Sequence, residues 1–257
     1  MGHESIPLAC RQFPRQSVTD PRGTSVTLSH YCPTAHAQLE RATGPVTIVD
    51  GGSAFPRYGE YVGLAASPEI PPLLHSRCLI TWEQWWLIEA RAVTLVSEFP
   101  ESALPRLARA IEHVHAWEPG TTPLADVVHR AFDLASLGDE PPWEPADVDV
   151  TSHIADALST IPAEWQEEAV RALTPGTTRL PWPVFGRFLA AHTFANWAAY
   201  NGRGLRTWFR SIEAAGCLVW RTGDAGNVDL ILRHLADSSA LITRWNQAER
   251  RPVIRRT

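Results

Sequence analysis

The sequence predicts a mainly α-helical protein, with a multi-helix domain behind an irregular N-terminal cysteine segment that contains one or two short strands. First, apolar residues recur three and four positions apart from about residue 81 onward, which is the spacing of one helix face. Second, prolines and glycines interrupt this spacing at short intervals, so consecutive helices are joined by short loops. Third, turn residues break any such pattern in the first 80 residues.

These patterns divide the chain into two parts. Residues 1–80 form the irregular, cysteine-containing segment, and residues 81–257 form the helical domain. An acidic, proline-rich stretch at residues 139–147 is the candidate linker, although burial of Trp143 would make it an ordered loop. With 257 residues, the chain can form one large domain or two small ones.

The N-terminal segment contains three short predicted elements. Asp20-Pro21-Arg22-Gly23 is a turn signal, and the alternating run Val26-Thr27-Leu28 after it predicts a strand. Residues 35–41 predict a short helix, and Val46-Thr47-Ile48-Val49 predicts a second strand. Four prolines between residues 53 and 80 exclude a long element there.

The helical part begins with a capping-box pattern, Thr81 followed by Gln84 three residues later. Pro100 ends this first helix, and Ser102 opens the second. The remaining helices are predicted from apolar spacing and from the breaks between them. They cover residues 124–137, 149–161, 163–173, 185–200, 205–220 and 228–250.

Composition excludes several classes of function. The chain contains no lysine, so a P-loop and Schiff-base or pyridoxal phosphate chemistry are excluded by residue type. A net charge of −5 without a block of like charges argues against a nucleic-acid or membrane-surface binder. There is neither an apolar run of the roughly 20 residues that span a bilayer nor an apolar signal segment, so we expect a cytoplasmic protein.

The residues that suggest chemistry lie in the first 35 positions. They are grouped around two cysteines, in the phrases Cys10-Arg11-Gln12-Phe13-Pro14 and Ser29-His30-Tyr31-Cys32-Pro33-Thr34. From the residues alone, Cys10 and Cys32 are either thiolate ligands or small buried thiols. His3 and His30 are weaker candidates that could complete a mixed Cys/His site, since imidazole suits zinc.

These two phrases resemble the YkgJ-type family of zinc- or iron-chelating cysteine-cluster proteins. The longer phrase is similar to the branch with a long helical extension, and more distantly to flagellin lysine-N-methylase. The resemblance implies zinc or an iron–sulfur cluster as the cofactor, with Cys10 and Cys32 as metal ligands. Family members carry further cysteines upstream, which this chain lacks. The resemblance therefore implies an N-terminally truncated member with an incomplete ligand set, completed by a homo-oligomer or a partner chain.

The leading hypothesis is a metal- or iron–sulfur-binding cysteine-cluster protein. One alternative is a lysine-N-methylase-like enzyme that uses the cluster, and another is a metal-free helical protein with a structural or interaction role. Whether the protein is an enzyme and which partners it has stay open. Outside the cysteine segment, His192 and the tryptophans Trp82, Trp85 and Trp86 are interpreted as core residues, because aromatic side chains at helical spacing usually face a core.

Overall fold

The computed structural model describes residues 13, 15–51, 63–144, 154, 157–159, 162–235 and 238–247. Within these ranges the chain is mainly helical, with short strands only near the N-terminus, which confirms the predicted fold class. None of the described helices combines the length and the apolar character that crossing a membrane requires.

The strands form two small sheets. They are β1 (Arg15–Asp20), β2 (Gly23–Leu28), β3 (Leu64–Ala65), β4 (Leu73–His75) and β5 (Cys78–Leu79). The first sheet has the order β2-β1-β3, with β1 antiparallel to β2 and parallel to β3. The turn between β1 and β2 is the predicted one, and Gly23 has a positive φ of 121°, which glycine adopts without strain. Strands β4 and β5 pair with each other.

The helices follow in chain order, with one 3₁₀ turn at Pro100–Ser102. They are α1 (Pro33–Arg41), α2 (Trp82–Glu98), α3 (Ala103–His115), α4 (Leu124–Ser136), α5 (Ala163–Ala172), α6 (Trp182–Thr193), α7 (Trp197–Asn201), α8 (Leu205–Thr222), α9 (Ala225–His234) and α10 (Ser239–Asn246). The capping box of α2 forms as predicted, because Thr81 and Gln84 each accept a hydrogen bond from the other's backbone N–H.

Three predicted elements differ in the structure. Residues 46–49 lie in an irregular stretch rather than a strand. The helix predicted over 185–200 is interrupted after Thr193, and the last predicted helix is divided into α9 and α10. The helix predicted over 149–161 lies largely outside the described residues. Apolar spacing alone does not show such interruptions, because both halves of an interrupted helix keep their own buried face.

Helix α8 lies at the centre of the helical part. It packs against α3, α6, α7, α9 and α10, while α2 packs closely along α6. One hydrophobic core joins these helices, and it also contains Leu39 of α1 and Leu74 of β4. Core side chains therefore come from both sides of the predicted division at residue 80, and that division stays a prediction.

The predicted linker packs on the core over its described part, residues 139–144. The backbone N–H of Trp143 donates to the carbonyl of Glu101. Its indole stacks on Phe185, with ring centroids 5.9 Å apart, and meets Trp220 edge-on. A second indole, Trp182, stacks on Trp220 at 4.3 Å. This aromatic cluster packs the loop at residues 139–144 against α6 and α8.

Candidate functional site

The predicted metal ligands do not come together in the described part of the chain. Cys10 and His3 lie outside the described residues. Cys32 is half-buried immediately before α1, and Cys78 and Cys217 are buried; all three are free thiols. The backbone of Cys32 continues into α1, since its carbonyl accepts a hydrogen bond from His36.

The predicted cysteine-cluster function is wrong. Among the described residues, no group of three or more His, Cys, Asp or Glu side chains could hold a metal ion. A metal site needs several ligands converging on one point, and Cys32 has no such neighbours there. The lysine-N-methylase-like alternative required the same cluster and fails with it. Zinc or an iron–sulfur cluster as cofactor stays a prediction, because Cys10 and His3 are not described.

His30 contacts a carboxylate instead of a cysteine. Its backbone N–H donates to Oδ2 of Asp229 at 2.7 Å, and its Nδ1 lies 3.8 Å from the same oxygen. On the other side of the carboxylate, Nε2 of His192 lies 3.0 Å from Oδ1. Asp229 is only 2% exposed, so two imidazoles enclose a buried carboxylate where β2 leads into α1. Asp229 is 199 positions away from His30 in the sequence, so no local sequence motif indicates that the two residues are in contact.

A second ionic cluster, with two buried carboxylates, lies at the turn between β1 and β2. The guanidinium of Arg22 contacts Glu89 at 2.8 Å and Asp20 at 3.1 Å. Trp86 and Tyr200 each donate a hydrogen bond to Asp20 at 3.3 Å. Two of the predicted core tryptophans thus have distinct roles, since Trp85 is fully buried while Trp86 faces this cluster.

Burial controls the ionisation of this cluster. Desolvation raises the pKa of the Glu89 carboxyl, although the neighbouring Arg22 acts in the opposite direction. Desolvation by itself would lower the pKa of Arg22, but the charges of Glu89 and Asp20 outweigh it and raise that pKa. Desolvation together with the same two carboxylates also raises the pKa of Tyr200, which keeps its hydroxyl neutral as a donor. At Glu89 the cost of burial thus outweighs the ion pair, whereas at Arg22 the ion pair outweighs the cost of burial.

The interruption between α6 and α7 is tied to this cluster. Ala195 has a φ of +51°, which is unusual for a residue with a Cβ and costs about 1 kcal/mol or more. Its backbone N–H donates to Oε1 of Glu89 at 2.9 Å. Asn196 then accepts from the backbone of Ala198 and starts α7. A hydrogen bond to a buried carboxylate thus holds the strained residue in place.

A pocket of about 860 Å³ lies between the two clusters. Its described walls are formed mainly by β2, one face of α1 and one face of α6, with Val93 of α2 as a further contact. The irregular stretch at 46–51 lies along a further side. Arg22 and His30, the residues on either side of β2, both line it. Its volume is within the range of sites that hold small organic ligands.

Most of the lining is apolar, but α6 contributes one buried cation. Arg187 is 8% exposed and lies on the pocket face of α6 with Ala190, Ala191 and Phe194. Its Nε donates to the carbonyl of Leu39 at 2.7 Å and its Nη2 to the carbonyl of Glu40 at 3.3 Å. Both carbonyls belong to the last turn of α1, whose end carries partial negative charge.

Capping α1 uses only part of this guanidinium. Arginine has five N–H donors, and two of them make the bonds to Leu39 and Glu40, which leaves three. Among the described residues, no carboxylate forms an ion pair with Arg187. A buried guanidinium with unused donors at a pocket wall is suited to bind an anionic group.

Arg106 shows how a purely structural arginine differs. It is 4% exposed, and it donates to Ser102 and to the carbonyls of residues 135, 137 and 138. Phe99 stacks on its guanidinium at 4.4 Å. Arg106 thus makes four hydrogen bonds and lines none of the described pockets, whereas Arg187 makes two and lines the large one. Sequence reasoning missed Arg187, because it lies within an ordinary apolar helix pattern.

Comparisons with known proteins add no relative. No family model matches the chain, and neither a curated protein nor a solved structure matches it. The resemblance to the YkgJ-type family therefore stays a prediction.

Proposed function

We propose that this protein binds a small, partly apolar organic anion in the pocket between β2, α1 and α6. The observation that carries the proposal is Arg187, a buried guanidinium that has three N–H donors free of protein partners in the described part of the chain. A carboxylate or phosphate group of the ligand would accept these donors, and the apolar walls would bury the rest of the molecule.

The other basic groups of the pocket lie next to carboxylates of the protein, and one exposed carboxylate, Asp50, also lines the pocket. Arg22 is already paired with Glu89 and Asp20, so it adds no uncompensated charge. The imidazole of His30 is next to the carboxylate of Asp229. Arg187 is thus the lining group whose charge a ligand would balance, and it lies beside Leu39 on the apolar face of α1.

The test compares three ligands that share an eight-carbon chain: octanoate, octanol and octylammonium. Each competes, below its micelle concentration, with the fluorescent anion anilinonaphthalene sulfonate. A charge-assisted hydrogen bond is worth about 1.5–3 kcal/mol, so octanoate should displace the probe at least about tenfold more strongly than octanol. Octylammonium should compete more weakly than either. Equal competition by all three ligands on the wild-type protein would contradict the proposal.

Variants locate the effect on Arg187. In Arg187→Met, which keeps the chain length without the charge, the preference for octanoate over octanol should disappear. The matched control is Arg91→Gln, because Arg91 pairs with Asp133 on α4 and does not line the pocket. Circular dichroism verifies that both variants are folded. An unchanged octanoate preference in folded Arg187→Met would also overturn the proposal.

The compartment is part of the same proposal. The three described cysteines are free thiols, which supports a reducing environment such as the cytoplasm.

A further inference from the structure

The outer edge of β2 has no strand partner among the described residues. The sheet order is β2-β1-β3, so β1 is central and β2 lies at one side. Five consecutive residues of β2, from Thr24 to Leu28, line the pocket. Side chains alternate between the two faces of a strand, so an unbroken run of lining residues indicates that the strand presents its edge to the pocket.

The pairing identifies which backbone groups point outward. The carbonyl of Thr19 accepts from the N–H of Ala66 at 2.8 Å, so the peptide groups of Thr19 face β3. Thr19 is opposite Thr24, and this pair is therefore a non-hydrogen-bonded pair of the β1–β2 ladder. The backbone groups of Thr24 thus point away from β1, and by alternation so do those of Val26 and Leu28.

In the described part of the chain, no residue makes a backbone hydrogen bond to these outward groups outside the strand pairing. From Thr24 to Leu28 the edge extends about 14 Å, at roughly 3.4 Å per residue. An unpaired strand edge at a pocket is a template for an added strand, since main-chain hydrogen bonds then provide binding energy without requiring a particular side chain.

We infer that the ligand of this pocket is a short extended peptide with a free C-terminal carboxylate, added as a strand to the edge of β2 and held at its carboxylate by Arg187. The inference rests on the proposed function, because it uses the same guanidinium. It adds that the pocket recognises main-chain amides through Thr24, Val26 and Leu28. Apolar side chains of the peptide lie against the apolar faces of α1 and α6.

A peptide series tests the main-chain contacts. The probe is acetyl-Val-Thr-Val-Leu with a free carboxylate, in competition with anilinonaphthalene sulfonate. Its C-terminal amide should bind at least about tenfold more weakly, since it cannot form the charged bond to Arg187. N-methylation at the first and third residues, or at the second and fourth, blocks one edge of the peptide strand. One of these two peptides should lose about tenfold or more, because two backbone bonds of about 0.5–1.5 kcal/mol each are lost. The other should bind as the parent does.

The protein side is tested with Val26→Pro. An outward N–H on an edge strand makes no ladder bond, so proline is tolerated at this position without loss of the sheet. Val26→Pro should lose peptide binding, and circular dichroism verifies that the variant is folded. If Val26→Pro binds the peptide like the wild type, or if both N-methylated peptides bind like the parent, the inference is overturned. Octanoate binding that still depends on Arg187 would then show that the proposed function stands without it.

Hydrogen exchange provides a readout that needs no variant. In the free protein the amides of Val26 and Leu28 should exchange rapidly, while the inward amides of Ser25 and Thr27 stay protected. The peptide should protect Val26 and Leu28. Protection of these two amides before any peptide is added would mean that another part of the chain already pairs with the edge of β2. Residues 46–49, which line the same pocket, are the first candidates. That result would overturn the inference.

Discussion

At the scale of single residues, Glu89 anchors the turn between β1 and β2 through its ion pair with Arg22. It is fully buried, contacts Arg22 and accepts the backbone N–H of Ala195. The side chain of Glu89 is fully buried, whereas that of its partner Arg22 is 24% exposed. Glu89 therefore connects the turn between β1 and β2 to the junction between α6 and α7, which are far apart in the sequence.

The raised pKa of Glu89 predicts a pH dependence of stability. Folding raises the pKa of this carboxyl above its ordinary value of 4.5, so above that pH the folded protein binds more protons than the unfolded chain. Its contribution to the free energy of unfolding therefore falls as the pH rises from 4.5 to the raised value, by up to about 1.4 kcal/mol per pH unit. Glu89→Gln removes this contribution.

Urea unfolding between pH 4.5 and 8 measures this effect. The stability of the wild type should fall relative to that of Glu89→Gln as the pH rises. The control is Glu98→Gln, because Glu98 is an exposed carboxyl on the same helix. Parallel curves for the wild type and Glu89→Gln would show that folding does not raise the pKa of Glu89.

Sequence reasoning at this scale found the residues that act locally and missed those that act at a distance. Thr81 and Gln84 are three positions apart, and their capping box is present as predicted. His30 was predicted as a weak metal ligand, and its contact with Asp229 depends on the packing of α9 near the start of α1. The role of Arg187 could not be predicted from the sequence, because its two hydrogen bonds go to backbone carbonyl groups, which every residue has.

At the scale of elements, the packing of α2 on α6 depends on a glycine. A Cβ at Gly186 would lie 2.6 Å from the Cβ of Pro100 and 3.1 Å from the carbonyl oxygen of Val96. Both obstacles are rigid, because one is a proline ring and the other is backbone. At Gly216 of α8 a Cβ would lie 2.9 and 3.2 Å from the ends of two leucine side chains and at an ordinary 3.5 Å from the ring of Phe185.

These surroundings predict a larger destabilisation at Gly186 than at Gly216 from the same substitution. Gly186→Ala should lower the free energy of unfolding by about 2 kcal/mol, since overpacking at rigid neighbours costs more than the gain in helix propensity. Gly216→Ala should change it by less than about 1 kcal/mol, because the leucine ends can move and alanine favours the helix. Urea unfolding of both variants measures the difference. Equal losses in the two variants would show that α2 and α6 do not depend on the close approach at Gly186.

The elements that sequence reasoning predicted correctly are those whose pattern is complete within themselves. An amphipathic helix such as α3 or α4 carries its own buried face. The predicted strand at 46–49 has suitable residues but no partner in the described structure, and a strand exists only when it is paired. The end of α6 depends on Ala195 and its bond to Glu89, which no local pattern contains.

At the scale of the whole molecule, the pocket combines elements that are far apart in the sequence. β2 and α1 lie near the N-terminus, whereas α6 begins at Trp182. The core that supports them is continuous, so the pocket should persist only while the whole helical part is folded. The sequence predicted the helices around the site but not their arrangement in space, and so it could not predict the pocket.

The reactivity of the cysteines measures whether the core unfolds as one unit. Cys217 is 2% exposed, and burial raises the pKa of its thiol to about 12, so it should react with iodoacetamide only when the core opens. Cys32 is partly exposed and should react fastest of the three described thiols. Site-resolved mass spectrometry after timed labelling measures both rates. In low concentrations of urea the rate at Cys217 should rise with global unfolding, while the rate at Cys32 should change little. Equal rates at Cys32 and Cys217 in native buffer would show that the core opens locally.

The aromatic cluster beneath the loop at 139–144 also has an optical consequence. The ring centroids of Trp182 and Trp220 lie 4.3 Å apart with the ring planes inclined by 29°, and Trp143 is edge-on to Trp220. Indoles this close couple their electronic transitions, so the far-ultraviolet dichroism should contain an exciton couplet in addition to the helix bands. A chain that kept its helices and lost this packing would lose the couplet alone. Loss of the couplet with the helix bands retained should therefore distinguish loss of native tertiary structure from loss of secondary structure.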